Sequence, residues 1–226
     1  MTDYFIKEGY HTNLESPDRL RKYTSVPPDQ YQEDVYKYAA YLVKQHNLKS
    51  VVDCGCGSGY KLVKFIEPVC SDITGLDQDF TIRNCTKRYP QLTWVAEDFS
   101  CGRVSIDRKF DLVLSIDVIE HLPNPDSLLE ILKLLSHPAS HIVISTPERD
   151  LVHGVENQGP PSNPYHIREW NMRELRSYLE SSGFVVLQQI LVDATTHLDW
   201  KKRLIRLILP KIFRNCQTAH CRISRF

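Results

Sequence analysis

An acidic residue and three glycines lie close together in the first third of the chain, in a pattern typical of a ligand-binding loop. An apolar dipeptide leads into Asp53, and Gly55, Gly57 and Gly59 follow at intervals of two residues. Glycine has no side chain and accepts a positive φ, so backbone N–H groups in such a loop can approach a ligand closely. The spacing differs from G-x-G-x-x-G, the fingerprint of dinucleotide sites. A carboxylate beside the loop repels a pyrophosphate but accepts hydrogen bonds from a cationic ligand, which indicates a nucleoside without phosphates.

Other acidic residues follow later apolar stretches of the chain. Asp77 ends the second stretch, and an acid about 20 residues past a glycine loop typically binds ribose hydroxyls. A carboxylate suits a diol because it accepts two hydrogen bonds at once. We expect the neighbouring Asp79 to cap the helix that follows. Asp98, which precedes Phe99, ends the third stretch, where the alternative is an ordinary turn residue.

Three histidines and one glutamate are candidates for acid–base chemistry. An imidazole titrates near neutrality, so a histidine can remove a proton from a hydroxyl. His166 is the first choice for this role, His153 the second, and His121, beside Glu120, the third. The alternative is structural: His166 holds its own loop in place, and Glu120 with His121 orients a loop and caps the next helix.

A frame of alternating strands and helices must position these side chains. Short apolar stretches alternate with amphipathic ones, which is typical of a parallel sheet with helical crossovers. The predicted strands lie at 51–53, 73–76, 92–96, 110–116, 141–145 and 184–191. The predicted helices run from 30 to about 46 behind an Asp29 cap, from 80 to 89, and from a cap at Asp126 to about 135, and a fourth begins at a capping box of Asn171 and Glu174.

Three segments lie outside this alternation. The stretch 147–168 shows no period, and a loop of that length in a compact domain is usually functional, so it is predicted to be an active-site loop. Residues 1–28 form either an N-terminal arm on the domain surface or a lid over a pocket. An insertion at 195–216 contains a basic amphipathic segment, 200–214, which either packs on its own domain or touches a membrane surface or an acidic partner.

Composition narrows the class of protein. The 226 residues suit a single α/β domain, 1–226. Lys+Arg and Asp+Glu both number 28, and a net charge of zero argues against nucleic-acid binding, which leaves a basic footprint. Neither a signal peptide nor an integral membrane segment is predicted. Seven scattered cysteines without paired C-x₂₋₄-C motifs indicate reduced thiols in the cytoplasm and no metal site. Nothing in the sequence indicates an oligomeric state.

Four motifs are more specific: the glycine loop V-V-D-C-G-C-G-S-G-Y, the D-V-I-E-H-L run after the fourth strand, and the elements T-P-E-R-D and G-P-P-S-N-P-Y-H-I-R-E-W around the 147–168 stretch. The first two resemble motif I and a strand-end signature of class I S-adenosylmethionine-dependent methyltransferases, in their small-molecule branch. The last two resemble a subgroup of these enzymes associated with small molecules and sugars. The resemblance covers roughly residues 35–190.

This resemblance implies a Rossmann-like, doubly wound α/β fold. Its seven-stranded sheet would be mostly parallel with an antiparallel last strand, here 219–226. The implied cofactor is S-adenosylmethionine, with Asp53 and the glycines at its amino-acid end, Asp77 at the ribose, and Asp98 with Phe99 at the adenine. The complete set of predicted cofactor-binding residues is Asp53, Gly55, Cys56, Gly57, Gly59, Asp77, Gln78, Asp98, Phe99, Ser115 and Asp117.

The sequence therefore predicts an enzyme that transfers a methyl group to a small-molecule acceptor, a hydroxyl of a sugar or related metabolite. In such a displacement the protein mainly positions the reactants and excludes water, while His166 removes the hydroxyl proton. Two alternatives remain at this stage. An NAD(P)-dependent oxidoreductase shares the fold, but its G-x-G-x-x-G fingerprint needs a third glycine at a spacing that this loop does not have. A non-catalytic cofactor-binding or scaffold protein needs the strand-end acids but no base.

Overall fold

The computed structural model describes residues 31–157, 159–193 and 216–224. The predicted arm at 1–28, the Asp29 cap and the basic segment 200–214 lie outside these residues, as does the 195–216 insertion except for Cys216. In the described part of the chain, none of the helices has the length and apolar character that a membrane span requires.

Seven strands form one mixed sheet in the order β3-β2-β1-β4-β5-β7-β6. The strands are β1 Ser50–Cys54, β2 Asp72–Asp77, β3 Thr93–Ala96, β4 Phe110–Ile116, β5 Ser136–Pro147, β6 Phe184–Val192 and β7 Cys216–Ile223. Every pair of neighbouring strands among β1, β2, β3, β4 and β5 is parallel. β7 runs antiparallel to both of its neighbours, β5 and β6. The predicted Rossmann-like α/β sheet with an antiparallel last strand is confirmed.

Helices cover both faces of this sheet. The α-helices of the described chain are α1 Glu33–His46, α2 Asp79–Arg88, α3 Pro125–Leu134, α4 Arg149–His153 and α5 Met172–Ser181, and a π-helix, Leu62–Ile66, follows the glycine loop. All of them except α4 contribute buried residues. Consecutive strand residues point to opposite faces, so Val51 packs in the cluster that contains α1, and Val52 packs in the cluster that contains α3 and α5. Because both of its faces are covered, β1 is buried along its whole length, which explains the continuous apolar run in the sequence.

Two helices begin differently from the predictions. The Asp79 carboxylate does not cap α2, because Asp79 is the first residue of that helix and pairs with Arg83 at 2.8 Å. At the start of α3 the cap is Asn124, whose side chain accepts a hydrogen bond from the Asp126 N–H. Asp79 thus lies one residue, and Asp126 two residues, inside its helix from the actual cap position, an offset that sequence patterns resolve poorly.

The 147–168 segment contains a short helix, α4, that periodicity did not reveal. Its N-cap Glu148 accepts hydrogen bonds from the Leu151 N–H at 2.7 Å and from the Met172 N–H at 3.1 Å. One buried carboxylate therefore ties the starts of α4 and α5 to the end of β5. The predicted capping box of Asn171 and Glu174 is present at the start of α5.

Three histidines lie together near the amino ends of the parallel strands. His141 Nδ1 and His220 Nε2 are 2.7 Å apart, and the ring centroids of His46 and His141 are 4.2 Å apart. Arg222 donates a hydrogen bond to His141 Nε2 at 3.0 Å. Burial, with the neighbouring histidines and Arg222 acting in the same direction, lowers the pKa of His141 and of His220 to about 4. Both rings are therefore neutral in the folded protein at neutral pH.

Lowering the pH is expected to destabilise the fold through this histidine pair. Between the ordinary histidine pKa of about 6.5 and the folded value of about 4, the unfolded chain binds protons at His141 and His220 that the folded chain does not bind. The free energy of unfolding therefore falls as the pH falls through this window, by roughly 2–5 kcal/mol for the pair at about 1.4 kcal/mol per pKa unit and after a discount for solvent screening. Urea unfolding at neutral pH and near pH 4.5 measures the loss. It should be larger in the wild type than in the H141Q/H220Q double variant, and equal losses would contradict the assignment.

Candidate cofactor and acceptor site

The glycine loop follows β1 and has positive φ at each glycine. A Cβ added at Gly55 would lie 2.3 Å from Val118 Cγ2, and one at Gly59 would lie 2.5 Å from Trp94 Cη2. At Gly57 a Cβ would meet no heavy atom of the described chain within 4 Å. Two of the glycines therefore permit close packing inside the protein, while Gly57 faces open space.

The backbone N–H groups of this loop are bonded within the protein. Those of Gly55 and Cys56 donate to Leu76 O at 2.8 and 3.0 Å, and that of Gly59 donates to Cys56 O at 3.1 Å. The Gly57 N–H donates to Asp77 Oδ2 at 2.9 Å. The expectation that these N–H groups face a ligand is wrong at these four positions, because the loop extends the hydrogen bonding of the sheet. What the loop offers a ligand is space above Gly57.

Asp53, at the end of β1, is completely buried. Tyr36 donates a hydrogen bond to its Oδ2 at 2.7 Å, whereas Oδ1 has no hydrogen-bond partner among the described residues. Burial raises the pKa of Asp53 to about 6, with Asp77 adding to the rise and Tyr36 and Lys61 opposing it. A buried acceptor that lacks a partner is costly, so this oxygen is a suitable contact for a cationic ligand group.

Asp77, at the end of β2, links this strand to the glycine loop. Besides the bond from Gly57, its Oδ1 accepts a hydrogen bond from the Gln78 N–H at 2.8 Å. Each carboxylate oxygen can accept a further bond, so the half-buried Asp77 retains capacity for a ribose diol. Gln78 is the N-cap residue of α2, and its side chain makes no capping bond.

The residues predicted for the adenine lie after β3. The exposed Asp98 caps a short 3₁₀ helix, Phe99–Cys101, by accepting a hydrogen bond from the Ser100 N–H at 2.9 Å. The Phe99 ring is buried in the core. The turn role considered for Asp98 is therefore present, and its contact with adenine stays a prediction. The side chain of Cys56, a residue of the glycine loop, also packs in the core, so Cys56 can contact a ligand only through its backbone.

Asp117 follows β4 and adopts a left-handed conformation, with φ of 53°. Its Oδ1 accepts a hydrogen bond from Ser145 Oγ at 2.6 Å, and its Oδ2 accepts one from Gln32 Nε2 at 2.7 Å. Gln32 also accepts a hydrogen bond from Lys61 Nζ at 2.7 Å. The fully buried Ser115 has no partner for its Oγ within the described chain. Sequence reasoning missed Gln32, Ser145 and Tyr36, because no motif marks residues that act only through distant partners.

Two of the three predicted catalytic histidines lie side by side. The ring centroids of His121 and His166 are 4.7 Å apart, with the planes at 76°. His121 Nδ1 lies 2.8 Å from Tyr165 O, and because a carbonyl only accepts, this nitrogen carries the proton. Glu120 is 1 % exposed, and its Oε2 accepts a hydrogen bond from Thr146 Oγ1 at 3.0 Å. Burial, together with nearby carboxylates, raises the pKa of Glu120 well above its usual range.

Glu169 joins His166 to the third predicted histidine. His166 Nδ1 lies 2.5 Å from Glu169 Oε1, and His153 Nε2 lies 2.8 Å from Glu169 Oε2. His166 Nε2 faces Asn163 Nδ2 at 2.9 Å. Although burial opposes it, hydrogen bonding from His166 and His153 lowers the pKa of Glu169. The structure thus brings His121 and His166 into contact. His153 lies on the far side of Glu169 from His166, beside the other carboxylate oxygen. Sequence reasoning did not identify Glu169 as their common partner.

The chain is similar to known methyltransferases over most of its length. The profile of the family described as "Methyltransferase domain" matches residues 28–189. A probable S-adenosylmethionine-dependent methyltransferase of Mycolicibacterium smegmatis is 32% identical over 143 residues, which are 61% of this chain and 52% of that protein. A ubiquinone biosynthesis O-methyltransferase of Coxiella burnetii is 24% identical over 162 residues, 65% of this chain and 69% of that protein.

A solved structure agrees with this similarity at the level of the fold. The 1,6-didemethyltoxoflavin-N1-methyltransferase of Burkholderia thailandensis, with bound S-adenosylhomocysteine, has a TM-score of 0.64 and 18% identity over 92% of this chain and 86% of that one. The chain spans about half the length of the first curated relatives that it matches. The predicted membership of the S-adenosylmethionine-dependent methyltransferases and the predicted cofactor, S-adenosylmethionine, are confirmed by these comparisons, whereas the small-molecule and sugar-modifying branch stays a prediction.

Replacing Gly57 with alanine is expected to weaken cofactor binding more than folding. The new methyl group enters the open space of the loop, whereas the left-handed backbone costs only about 1 kcal/mol for a non-glycine residue. We expect calorimetry with S-adenosylhomocysteine to show at least a tenfold loss of affinity, and urea unfolding to show only that small cost. Gly55→Ala is the matched control: its clash with Val118 adds about 1–3 kcal/mol to the cost in stability. Wild-type affinity in Gly57→Ala would show that the cofactor does not occupy this space.

Proposed function

Since the chain belongs to the family of methyltransferase domains, we propose that it transfers a methyl group from S-adenosylmethionine to a hydroxyl of a small molecule, a sugar or a related metabolite. One observation carries this proposal. Asp53 presents a buried oxygen without a partner beside the open face of Gly57, at the same sheet edge where His121 and His166 meet. A cofactor site and a group of proton acceptors thus lie at the carboxyl ends of neighbouring strands, where open α/β sheets bind their ligands.

The proposed cofactor position uses the acids in the order of the strands. The amino group of the methionine part donates to Asp53 Oδ1, which otherwise lacks a partner. The ribose hydroxyls donate to Asp77, and the adenine lies near Asp98 and Phe99. The remaining members of the proposed set line the same edge: Gly55, Cys56, Gly57, Gly59, Gln78, Ser115 and Asp117. The S-methyl group then points toward the histidines.

The reaction is an in-line displacement at the methyl carbon. A lone pair of the acceptor oxygen forms the new O–C bond, the S–C bond breaks, and the sulfur keeps its electron pair as S-adenosylhomocysteine leaves. The hydroxyl proton moves to His166 Nε2, because Nδ1 carries a proton that is donated to Glu169. The ionised Glu169 stabilises the imidazolium that forms, as a carboxylate does behind a catalytic base.

A small hydroxylated acceptor is favoured by one feature of the chain and by one similar protein. The T-P-E-R-D and G-P-P-S-N-P-Y-H-I-R-E-W elements that build this side of the site resemble enzymes that act on small molecules and sugars. In addition, the similar protein of Coxiella burnetii is an O-methyltransferase by name. Family membership and the Asp53 carboxylate, which repels a pyrophosphate, leave no feature in favour of the oxidoreductase alternative.

The cofactor assignment predicts that Asp77→Asn loses affinity for S-adenosylmethionine and S-adenosylhomocysteine. Removing the charge weakens the hydrogen bonds to the ribose, which should reduce the affinity about 10- to 100-fold. The measurement is isothermal titration calorimetry, with NADH as a third ligand. Asp79→Asn is the control, because this exposed residue pairs with Arg83 on the helix surface, and the variant should bind the cofactor as the wild type does. Tight NADH binding, or a normal Asp77→Asn variant, would refute the assignment.

The acceptor assignment predicts that His166→Gln binds S-adenosylhomocysteine normally but loses methyl transfer. Loss of the proton acceptor should reduce the rate at least about 100-fold. The assay follows release of S-adenosylhomocysteine with a panel of free sugars, nucleotide sugars and phenols. His137→Gln, at the opposite end of the sheet beside Asp111, should retain the wild-type rate. Cofactor binding by the wild type without turnover on any acceptor would favour the scaffold alternative, and normal turnover by His166→Gln would exclude its role.

A further inference from the structure

Three side chains with metal-ligating atoms meet at the acceptor side of the site. One carboxylate oxygen of Glu120 and one ring nitrogen each of His121 and His166 lie within 4.8 Å of one another. We propose that these three residues bind one divalent transition-metal cation, and that this cation binds the acceptor hydroxyl. The role of the cation rests on the proposed methyl transfer, whereas the site itself rests on the ligand geometry alone.

Glu120 supplies the observation that separates this cluster from an ordinary polar network. Its side chain is buried, its Oε2 accepts the hydrogen bond from Thr146, and its Oε1 has no hydrogen-bond partner in the described part of the protein. A buried carboxylate oxygen without a partner is strongly unfavourable. The nearby carboxylates of Asp117 and Glu169 add repulsion. A cation bound at Oε1 removes both penalties.

The two histidines are held in the tautomer that a metal requires. His121 Nδ1 donates to Tyr165 O, and His166 Nδ1 donates to Glu169 Oε1. In both rings the lone pair is therefore on Nε2. Histidine ligands of metals characteristically donate their other N–H to a backbone carbonyl or a carboxylate, and each type of partner occurs here once. This arrangement fixes the ring orientations before any metal binds.

Binding requires only small movements of side chains. A cation about 2.1 Å from each ligand atom holds those atoms about 3–4 Å apart, and they already lie within 4.8 Å of one another. The cation takes the place of the Asn163 amide at His166 Nε2, while Asn163 Oδ1 still accepts a hydrogen bond from the Tyr165 N–H at 3.0 Å. A metal at Nε2 uses the same lone pair as a proton. With the cation bound, His166 is therefore a ligand and no longer the base of the metal-free mechanism described above.

The ligand set indicates which cations fit. Two imidazoles and one carboxylate suit first-row divalent transition metals, whereas Mg²⁺ and Ca²⁺ prefer oxygen ligands throughout. Three protein ligands leave a coordination position open for the acceptor hydroxyl. A bound cation lowers the pKa of that hydroxyl. Its proton then passes to water, and the metal-bound oxygen attacks the methyl carbon as the S–C bond breaks. No electron transfer is involved.

This inference departs from the sequence-based expectation of no metal. That expectation considered cysteine pairs at short spacing. The ligands here come from two distant segments, one after β4 and one after α4, and only the fold brings them together. Two other histidines, His141 and His220, are in contact with each other at the opposite end of the sheet. They provide a control for nonspecific binding of metal to histidine.

Titration of the chelator-treated full chain with Co²⁺ tests the site, because cobalt bound by imidazole and carboxylate ligands absorbs visible light. We expect visible bands that saturate at one equivalent in the wild type. Glu120→Gln and His166→Gln should each weaken cobalt binding at least about tenfold, and His220→Gln should leave the bands unchanged. Bands that persist unchanged in Glu120→Gln and His166→Gln, or a wild type without bands in excess Co²⁺, would overturn the proposal.

Two further measurements separate this proposal from the proposed function. A thermal shift with S-adenosylhomocysteine, run on each variant, shows that the variant is folded and binds the cofactor. Methyl transfer by the wild type is then compared before and after chelation, with added Co²⁺, Zn²⁺ or Mn²⁺. Cobalt binding without turnover on any acceptor would leave the metal site intact and refute the methyl transfer. Full turnover after chelation, with no cobalt bands, would support the methyl transfer and refute the metal site.

Discussion

The burial of three carboxylates at the carboxyl end of the sheet is the constraint on which the site depends. Asp53 and Glu120 have 0% and 1% of their surface exposed, and the Glu169 side chain has 3%. Each group is costly to bury in its charged form unless partners compensate. The apolar strands force the burial of Asp53 and Glu120, since β1, β4 and β5 are covered on both faces. Glu169, which precedes α5, is buried beside His153 and His166.

The chain compensates these three carboxylates differently. Glu169 lies between two histidines, whose hydrogen bonds lower its pKa despite burial, and it acts as a fixed negative charge. Asp53 and Glu120 each receive one hydrogen bond from the protein and keep one oxygen without a partner among the described residues. Burial raises the pKa of both. Incomplete compensation of buried, titratable groups in one region is characteristic of functional sites rather than of structural ion pairs, because a ligand can supply the missing partner.

The sequence could predict the features that depend on local pattern. The strands, the order of helices and strands, the capping box at Asn171 and the acids at the strand ends all follow from periodicity or from neighbours within a few residues. The antiparallel direction of β7 followed from family resemblance, because the direction of a strand cannot be read from alternation alone. The five-residue helix α4 was missed because it is too short to show a period.

Contacts between distant segments were beyond such reasoning. Asp117 and Gln32 are 85 residues apart in the chain and share a hydrogen bond, although neither residue type indicates a partner. The expected donors of the glycine loop proved to be bonded to Leu76, Cys56 and Asp77, since the loop continues the β1–β2 pairing. Spacing identified the residues at the sheet edge, but their hydrogen-bond partners depend on strand order and register, which a single sequence does not specify.

The end of β5 determines how the two halves of the site are spaced. Its consecutive residues Ser145 and Thr146 hold Asp117 and Glu120, respectively, through side-chain hydrogen bonds of 2.6 and 3.0 Å. Successive residues of a strand point to opposite sides, so β5 secures the loop after β4 at two points, one toward the cofactor side and one toward the histidines. A methyl transfer requires donor and acceptor atoms to be held at close distance and in line. The rigid, fully paired centre of the sheet supplies that distance, and the strained φ at Asp117 is the local cost of turning the chain there.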